Sequence, residues 1–112
     1  MDRVKNKKRN TARGIIFFEN KVVMMHRIKK GREYYVIPGG GIEPGEESIE
    51  ALKREIKEEL SIKVESAFKV QTLFLKKGNQ DYYIVKADPT HMKLGGEELQ
   101  KSSAEKDRKS VV

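Results

Sequence analysis

The stretch from Gly40 to Ile62 constrains this chain most, because it joins a glycine-rich turn to a helix with two different faces. Apolar residues recur there at three- and four-residue spacing, a period that predicts a helical stripe packed against a core. Glu55, Glu58 and Glu59 stand at i, i+3 and i+4, so their carboxylates share a separate face of the same helix. The apolar stripe consists of Ile49, Leu52, Ile56 and Leu60.

The acidic face has two interpretations. Like charges one turn apart destabilise a helix by roughly 0.2–0.5 kcal/mol. A hard divalent cation would reverse the sign of that effect, because Mg²⁺ and Mn²⁺ prefer oxygen ligands. A bare Glu-x-x-Glu-Glu pattern is more often a solvated surface, so this spacing alone leaves both interpretations open.

The residues around the acidic face narrow the choice. The order is Gly40, five residues, Glu46, seven residues, Arg54-Glu55-Ile56, one residue, Glu58-Glu59, one residue and Ser61-Ile62. This order resembles the Nudix box of the Nudix (MutT-like) hydrolases, G-x5-E-x7-R-E-U-x-E-E-x-G-U, in which U is aliphatic. Ser61 is the one departure, because the family pattern has glycine there. We expect the change to affect stability: either serine adopts a left-handed helix cap at a cost of about 1–2 kcal/mol, or the helix ends in a different way.

The resemblance implies a pyrophosphohydrolase that uses Mg²⁺ (or Mn²⁺) and water to cleave the diphosphate linkage of a nucleoside diphosphate derivative. Divalent ions would bridge the diphosphate oxygens and lower the pKa of the attacking water. The box carboxylates would hold the metal, together with a backbone carbonyl of Gly39 or Gly40. The expected metal ligands are Glu55, Glu58, Glu59 and Gly40.

Arg54 precedes the first of these ligands and would orient the carboxylates through charge-assisted hydrogen bonds. The resemblance therefore places it in the catalytic set with Glu55, Glu58 and Glu59. Glu46 would anchor the loop to the helix.

Substrate contacts and the general base involve further positions. Arg27 would contact a phosphate, alongside Gly39 and Gly40. The general base is Glu55 or an acidic residue in a later loop, where Glu97 and Glu98 stand. An ordinary surface loop is the alternative interpretation of Glu97 and Glu98.

The expected fold is α/β, a Nudix-like α/β/α sandwich with a mixed β-sheet and the box helix packed on it. Ser48 is the expected helix cap. The run 64–75 is expected to pair with the strand at 81–87 through a hairpin at Gly78-Asn79. After Asp88 the pattern fades, so we expect the C-terminal helix of the family to be missing. The other predicted strands are 12–18, 22–28 and 34–37.

Length and composition limit the number of domains and the kinds of chemistry that the chain can support. With 112 residues the chain suits one domain, residues 11–112, preceded by a basic arm at 1–10. The formal net charge is +7, and residues 1–13 carry six basic side chains against one acidic side chain. Such an arm attracts RNA or is a solvated terminus. There is no cysteine, which excludes disulfides and thiolate chemistry.

The apolar run Gly14–Phe18 is too short for a membrane span, so we expect a cytoplasmic protein with no membrane partner. A homodimer stays open. The alternative function is a catalytically silent nucleotide- or RNA-binding module, which the short C-terminus and the basic arm favour. Replacing Glu58 by Gln would abolish turnover only in the enzyme.

Overall fold

The computed structural model describes residues 8–90 and the backbone of residues 105–111. Seven strands and one helix lie in this part of the chain. Their bounds are β1 Thr11–Phe18, β2 Lys21–Lys29, β3 Arg32–Val36, β4 Gly39–Gly41, α1 Ser48–Leu60, β5 Ser66–Leu75, β6 Gly78–Lys86 and β7 Glu105–Val111.

The sheet is mixed, as the sequence predicts. Its main strand order is β3-β2-β1-β6-β5, with β4 paired to β1 and β7 paired to β2. Strands β1 and β6 run parallel, and every other pairing is antiparallel. The parallel pair is the centre of the fold, because β1 also carries the glycine strand β4. The predicted Nudix-like α/β fold is confirmed.

Helix α1 packs its apolar face on the sheet. Leu52, Ile56 and Leu60 of the predicted stripe are fully buried, and Ile49 is partly buried against the core. Burying three such side chains stabilises the fold by about 1.5–3 kcal/mol each. The remaining core residues are Ala12, Ile16, Val23, Met25, Ala51, Ile62, Val64, Tyr83 and Val85.

The start of α1 differs from the prediction. The N-cap is Glu47, whose backbone N–H donates to the Glu50 carboxylate at 3.0 Å. Ser48 is the first helical residue, and its hydroxyl donates to Asp81 Oδ2 at 2.6 Å and accepts from Tyr83 at 2.9 Å. The prediction of Ser48 as the cap was wrong, because its hydroxyl ties the helix to β6.

The end of α1 has the left-handed cap, the first of the two endings that the sequence leaves open. Ser61 has φ 59° and ψ 33°, and its N–H donates to the Lys57 carbonyl at 3.0 Å. The acidic residues therefore lie on a helix whose last turn is closed in the ordinary way, with serine in a conformation that glycine adopts more easily.

Other strands differ in detail from the prediction. The β5–β6 hairpin forms, but its turn is Lys76-Lys77, and Gly78-Asn79 begins β6. The glycines expected in a tight turn form the short strand β4. Strand β7 was not predicted, because the sequence Glu105–Val111 is charged and lacks strand periodicity. It forms by antiparallel pairing with β2.

Within the described residues no helix has the length and apolar character to cross a membrane. Helix α1 has 13 residues, several of them charged.

Candidate metal and phosphate site

The glycine strand β4 lies next to helix α1, and backbone groups of β4 bond to Glu59 and Arg54 of that helix. The Gly14 N–H donates to the Pro38 carbonyl at 2.8 Å, which sets the register of β1 against β4. Bonded and non-bonded pairs alternate along an antiparallel ladder. The backbone groups of Gly40 therefore face β1, whereas those of Gly39 and Gly41 face away from it.

Arg54 connects this strand to the helix. Its guanidinium donates to both Glu46 oxygens, at 2.8 and 2.9 Å, to Glu55 Oε2 at 2.8 Å and to the Gly41 carbonyl at 2.9 Å. The hydrogen bonds from Arg54, reinforced by the Glu43 backbone N–H, lower the pKa of Glu46 to about 2. The hydrogen bonds from Arg54 to Glu46 and Glu55 in turn raise the pKa of Arg54 above its ordinary value. Arg54 thus joins Glu46 in the loop, Glu55 on the helix and the Gly41 carbonyl of β4.

Glu55 lies directly against Gly40. A Cβ atom added to Gly40 would come within 2.5 Å of Glu55 Cδ and within 2.6 Å of Oε1. A Cβ atom there would push the carboxylate away from the strand, so glycine at position 40 is what allows Glu55 to approach this closely. This close approach gives a physical reason for the glycine that opens the box.

Glu59 reaches the adjacent glycine. Its Oε1 accepts from the Gly39 N–H at 3.1 Å, and its Oε2 lies 3.7 Å from Arg27 Nη2. The Glu59 side chain is only 15% exposed. Burial raises the pKa of Glu59 to about 7, with a further increase from the Glu55 charge, and the Gly39 hydrogen bond opposes that rise.

Arg13 also lies beside Gly39 and Glu59, although its sequence position indicates only a contribution to the basic N-terminal charge. Its Nη1 donates to the Ile37 carbonyl at 3.1 Å and to the Gly39 carbonyl at 3.2 Å. Desolvation lowers the pKa of Arg13, and the nearby Arg27 lowers it further. The apolar run around Arg13 predicts a strand, but its pairing with Gly39 is a long-range relation that a single sequence does not display.

The structure says less about the remaining residues expected in the site. Glu58 is about half exposed, and its Oε1 lies 3.7 Å from Arg54 Nη1. Glu97 and Glu98 lie outside the described residues, as does most of the basic arm.

The donor set suits a hard divalent cation, because carboxylate and carbonyl oxygens are the ligands that Mg²⁺ and Mn²⁺ prefer. Glu55 and Glu59 converge on neighbouring glycines, and the partly buried Glu59 has Arg27 and Arg13 as its cationic neighbours. In the described part of the chain, no group of three or more His, Cys, Asp or Glu side chains is already gathered as a metal site.

Residues 8–105 match the sequence model of the NUDIX domain. The chain belongs to the Nudix family. Comparison with curated proteins gives no significant match. Members of the Nudix hydrolase family act on phosphoric anhydride bonds, and this Nudix protein is an enzyme of that class.

Solved structures agree on the Nudix fold. A MutT structure from work on Aliivibrio salmonicida and Vibrio cholerae superposes with a TM-score of 0.76 at 22% identity, covering 95% of this chain and 80% of that one. A Nudix hydrolase family member from Chromobacterium violaceum gives 0.73 at 23%, covering 95% and 63%. A MutT Nudix hydrolase from Burkholderia pseudomallei gives 0.70 at 17%, covering 94% and 82%.

Proposed function

We propose that this Nudix protein is a metal-dependent hydrolase that uses water to cleave the diphosphate linkage of a nucleoside diphosphate derivative. One observation carries the proposal. The carboxylates of Glu55 and Glu59 meet the adjacent glycines Gly40 and Gly39, so the helix and the glycine strand of the box close on each other. A solvated acidic face would not require either contact.

The roles of the side chains follow from their partners. Glu55, Glu58 and Glu59 would hold Mg²⁺ or Mn²⁺, which when bound neutralises charge on the diphosphate and makes a bound water more acidic. The alternation of the ladder favours the Gly39 carbonyl over that of Gly40 as the backbone ligand. Gly40 serves instead by leaving room for Glu55.

Two arginines assist in different ways. Arg54 holds Glu55 in place through a hydrogen bond, and the bidentate bond from Arg54 to Glu46 fixes the guanidinium itself. Arg27 stands beside Glu59 and is the group that would contact a phosphate oxygen. The general base stays a prediction, with Glu55 the candidate that the structure describes.

The test is hydrolysis of a panel of nucleoside diphosphate derivatives with Mg²⁺ or Mn²⁺, read as released phosphate or pyrophosphate. We expect turnover by the natural sequence and its loss in Glu58→Gln and Glu59→Gln. Glu65→Gln is the matched control, because Glu65 is exposed and its backbone N–H donates to the Lys86 carbonyl. Metal-independent turnover, or turnover that persists in both variants, would refute the proposal.

Binding of nucleotide or RNA without turnover is the competing outcome of this test. Lys8 and Arg9 at the end of the basic arm are exposed and available to a phosphate backbone. A folded protein that binds nucleotide but hydrolyses no member of the panel would overturn the proposed hydrolysis in favour of binding alone.

A further inference from the structure

Arg13 holds the backbone on both sides of Pro38. Its Nη1 is shared between the Ile37 and Gly39 carbonyls, at 3.1 and 3.2 Å. The same short segment is fixed by the Gly14 N–H, which donates to the Pro38 carbonyl, and by Glu59, which accepts from the Gly39 N–H. The Arg13 guanidinium therefore donates to the carbonyl of Gly39, the same residue whose N–H donates to the partly buried Glu59 carboxylate.

The Gly39 carbonyl is the one that the ladder turns away from β1 and that lies beside Glu59. It is therefore the backbone oxygen best placed for a cation bound by the box carboxylates. In the structure its partner is Arg13. A bound cation and the Arg13 guanidinium would compete for the same oxygen and would repel each other.

We propose that Arg13 acts as an internal cation at the Gly39 carbonyl and so weakens the binding of divalent metal to the substrate-free protein. The inference rests on the proposed metal site. It concerns a residue outside the box, and it gives Arg13 a role in metal affinity that is separate from catalysis.

Two effects set the sign of the prediction. Removing the guanidinium frees the Gly39 carbonyl, and it also removes a positive charge from a partly desolvated place near the carboxylates. Both changes favour a cation. Substrate phosphates would bring negative charge to the site, so the repulsion from Arg13 matters most when no substrate is bound.

The experiment measures Mn²⁺ binding to the full chain without nucleotide, by the loss of the free Mn²⁺ electron paramagnetic resonance signal. We expect Arg13→Gln to bind Mn²⁺ on the order of tenfold more tightly than the natural sequence, from the removal of one charge at moderate distance. Arg13→Lys keeps the charge with a shorter reach, so we expect its affinity to lie between the two.

Arg32→Gln is the matched control, because it removes the same charge from an exposed position at the start of β3 and should bind like the natural sequence. Circular dichroism establishes that each variant is folded. Unchanged or weaker Mn²⁺ binding in both Arg13 variants would overturn the inference alone. Failure of the natural sequence to bind Mn²⁺, or binding that Glu59→Gln leaves unchanged, would overturn the proposed metal site together with this inference.

Discussion

The guanidinium of Arg54 donates to both carboxylate oxygens of Glu46, with Nε–Oε2 and Nη2–Oε1 distances of 2.8 and 2.9 Å. This bidentate pair spans the loop between β4 and α1, and the same guanidinium donates to Glu55. Glu46 is not itself an expected metal ligand. It nevertheless determines the position of Glu55, because it fixes Arg54, which bonds to both carboxylates.

The Glu46–Arg54 pair predicts acid sensitivity. The pKa of Glu46 falls to about 2 in the folded protein, below the value of about 4.3 for an unfolded chain. A depressed folded-state pKa stabilises the protein above the unfolded pKa, and that stabilisation is lost as the pH falls through the folded pKa. We expect Glu46→Gln to lower the free energy of unfolding at pH 6.

The measurement is urea unfolding of both proteins between pH 2 and pH 6. The difference between them should shrink steadily below about pH 4. A difference that stays constant across this range would mean that the ionised Glu46 carboxylate does not stabilise the fold.

Glu59 predicts the opposite dependence in the metal-free protein. Its folded pKa of about 7 lies above the unfolded value, so the ionised carboxylate destabilises the fold as the pH rises from about 4 to 7. We expect Glu59→Gln to gain about 2 kcal/mol of stability relative to the natural sequence between pH 5 and pH 8. Chemical unfolding in the presence of a chelator measures this, and an equal stability difference at both pH values would contradict it.

The contact between Gly40 and Glu55 predicts that Gly40→Ala abolishes hydrolysis, because the new Cβ would displace the carboxylate. Gly31→Ala is the control. Gly31 has φ +78° and open space around its Cβ position, so alanine there strains the backbone by about 1–2 kcal/mol without touching the site. Initial rates and thermal unfolding separate the two effects. Equal activity of Gly40→Ala and the natural sequence would show that Glu55 has no required position.

Ser61 predicts a stabilising substitution. Its φ of 59° is left-handed, so Ser61→Gly should raise the free energy of unfolding by about 1 kcal/mol with no change in activity. Ser66→Gly, at the exposed start of β5, serves as the control and should lower stability slightly. If Ser61→Gly is also less stable, the serine contributes something that the left-handed cap does not explain.

The sequence predicts the features that depend on local periodicity. The stripe of Leu52, Ile56 and Leu60 is buried, and Ser61 ends the helix in the left-handed conformation expected of the family glycine. Both follow from residues within a few turns of one another, where spacing and backbone preference decide the structure.

Features that depend on distant partners could not be predicted. Ser48 looks like a cap until Asp81 and Tyr83 supply partners for its hydroxyl. Strand β7 has too few strand-forming residues to be recognised, and it forms because β2 has an edge to pair with. The place of Arg13 in the site likewise depends on the pairing of β1 with β4. In each case the deciding contact joins residues more than 20 positions apart.

The most direct test of the proposed hydrolysis is turnover of a nucleoside diphosphate derivative in water labelled with ¹⁸O, followed by mass spectrometry of the phosphate product. We predict one ¹⁸O atom per cleaved linkage with Mg²⁺ or Mn²⁺ present, and none with a chelator or in Glu59→Gln. Unlabelled product, or no product from a folded protein across the substrate panel, would contradict the account.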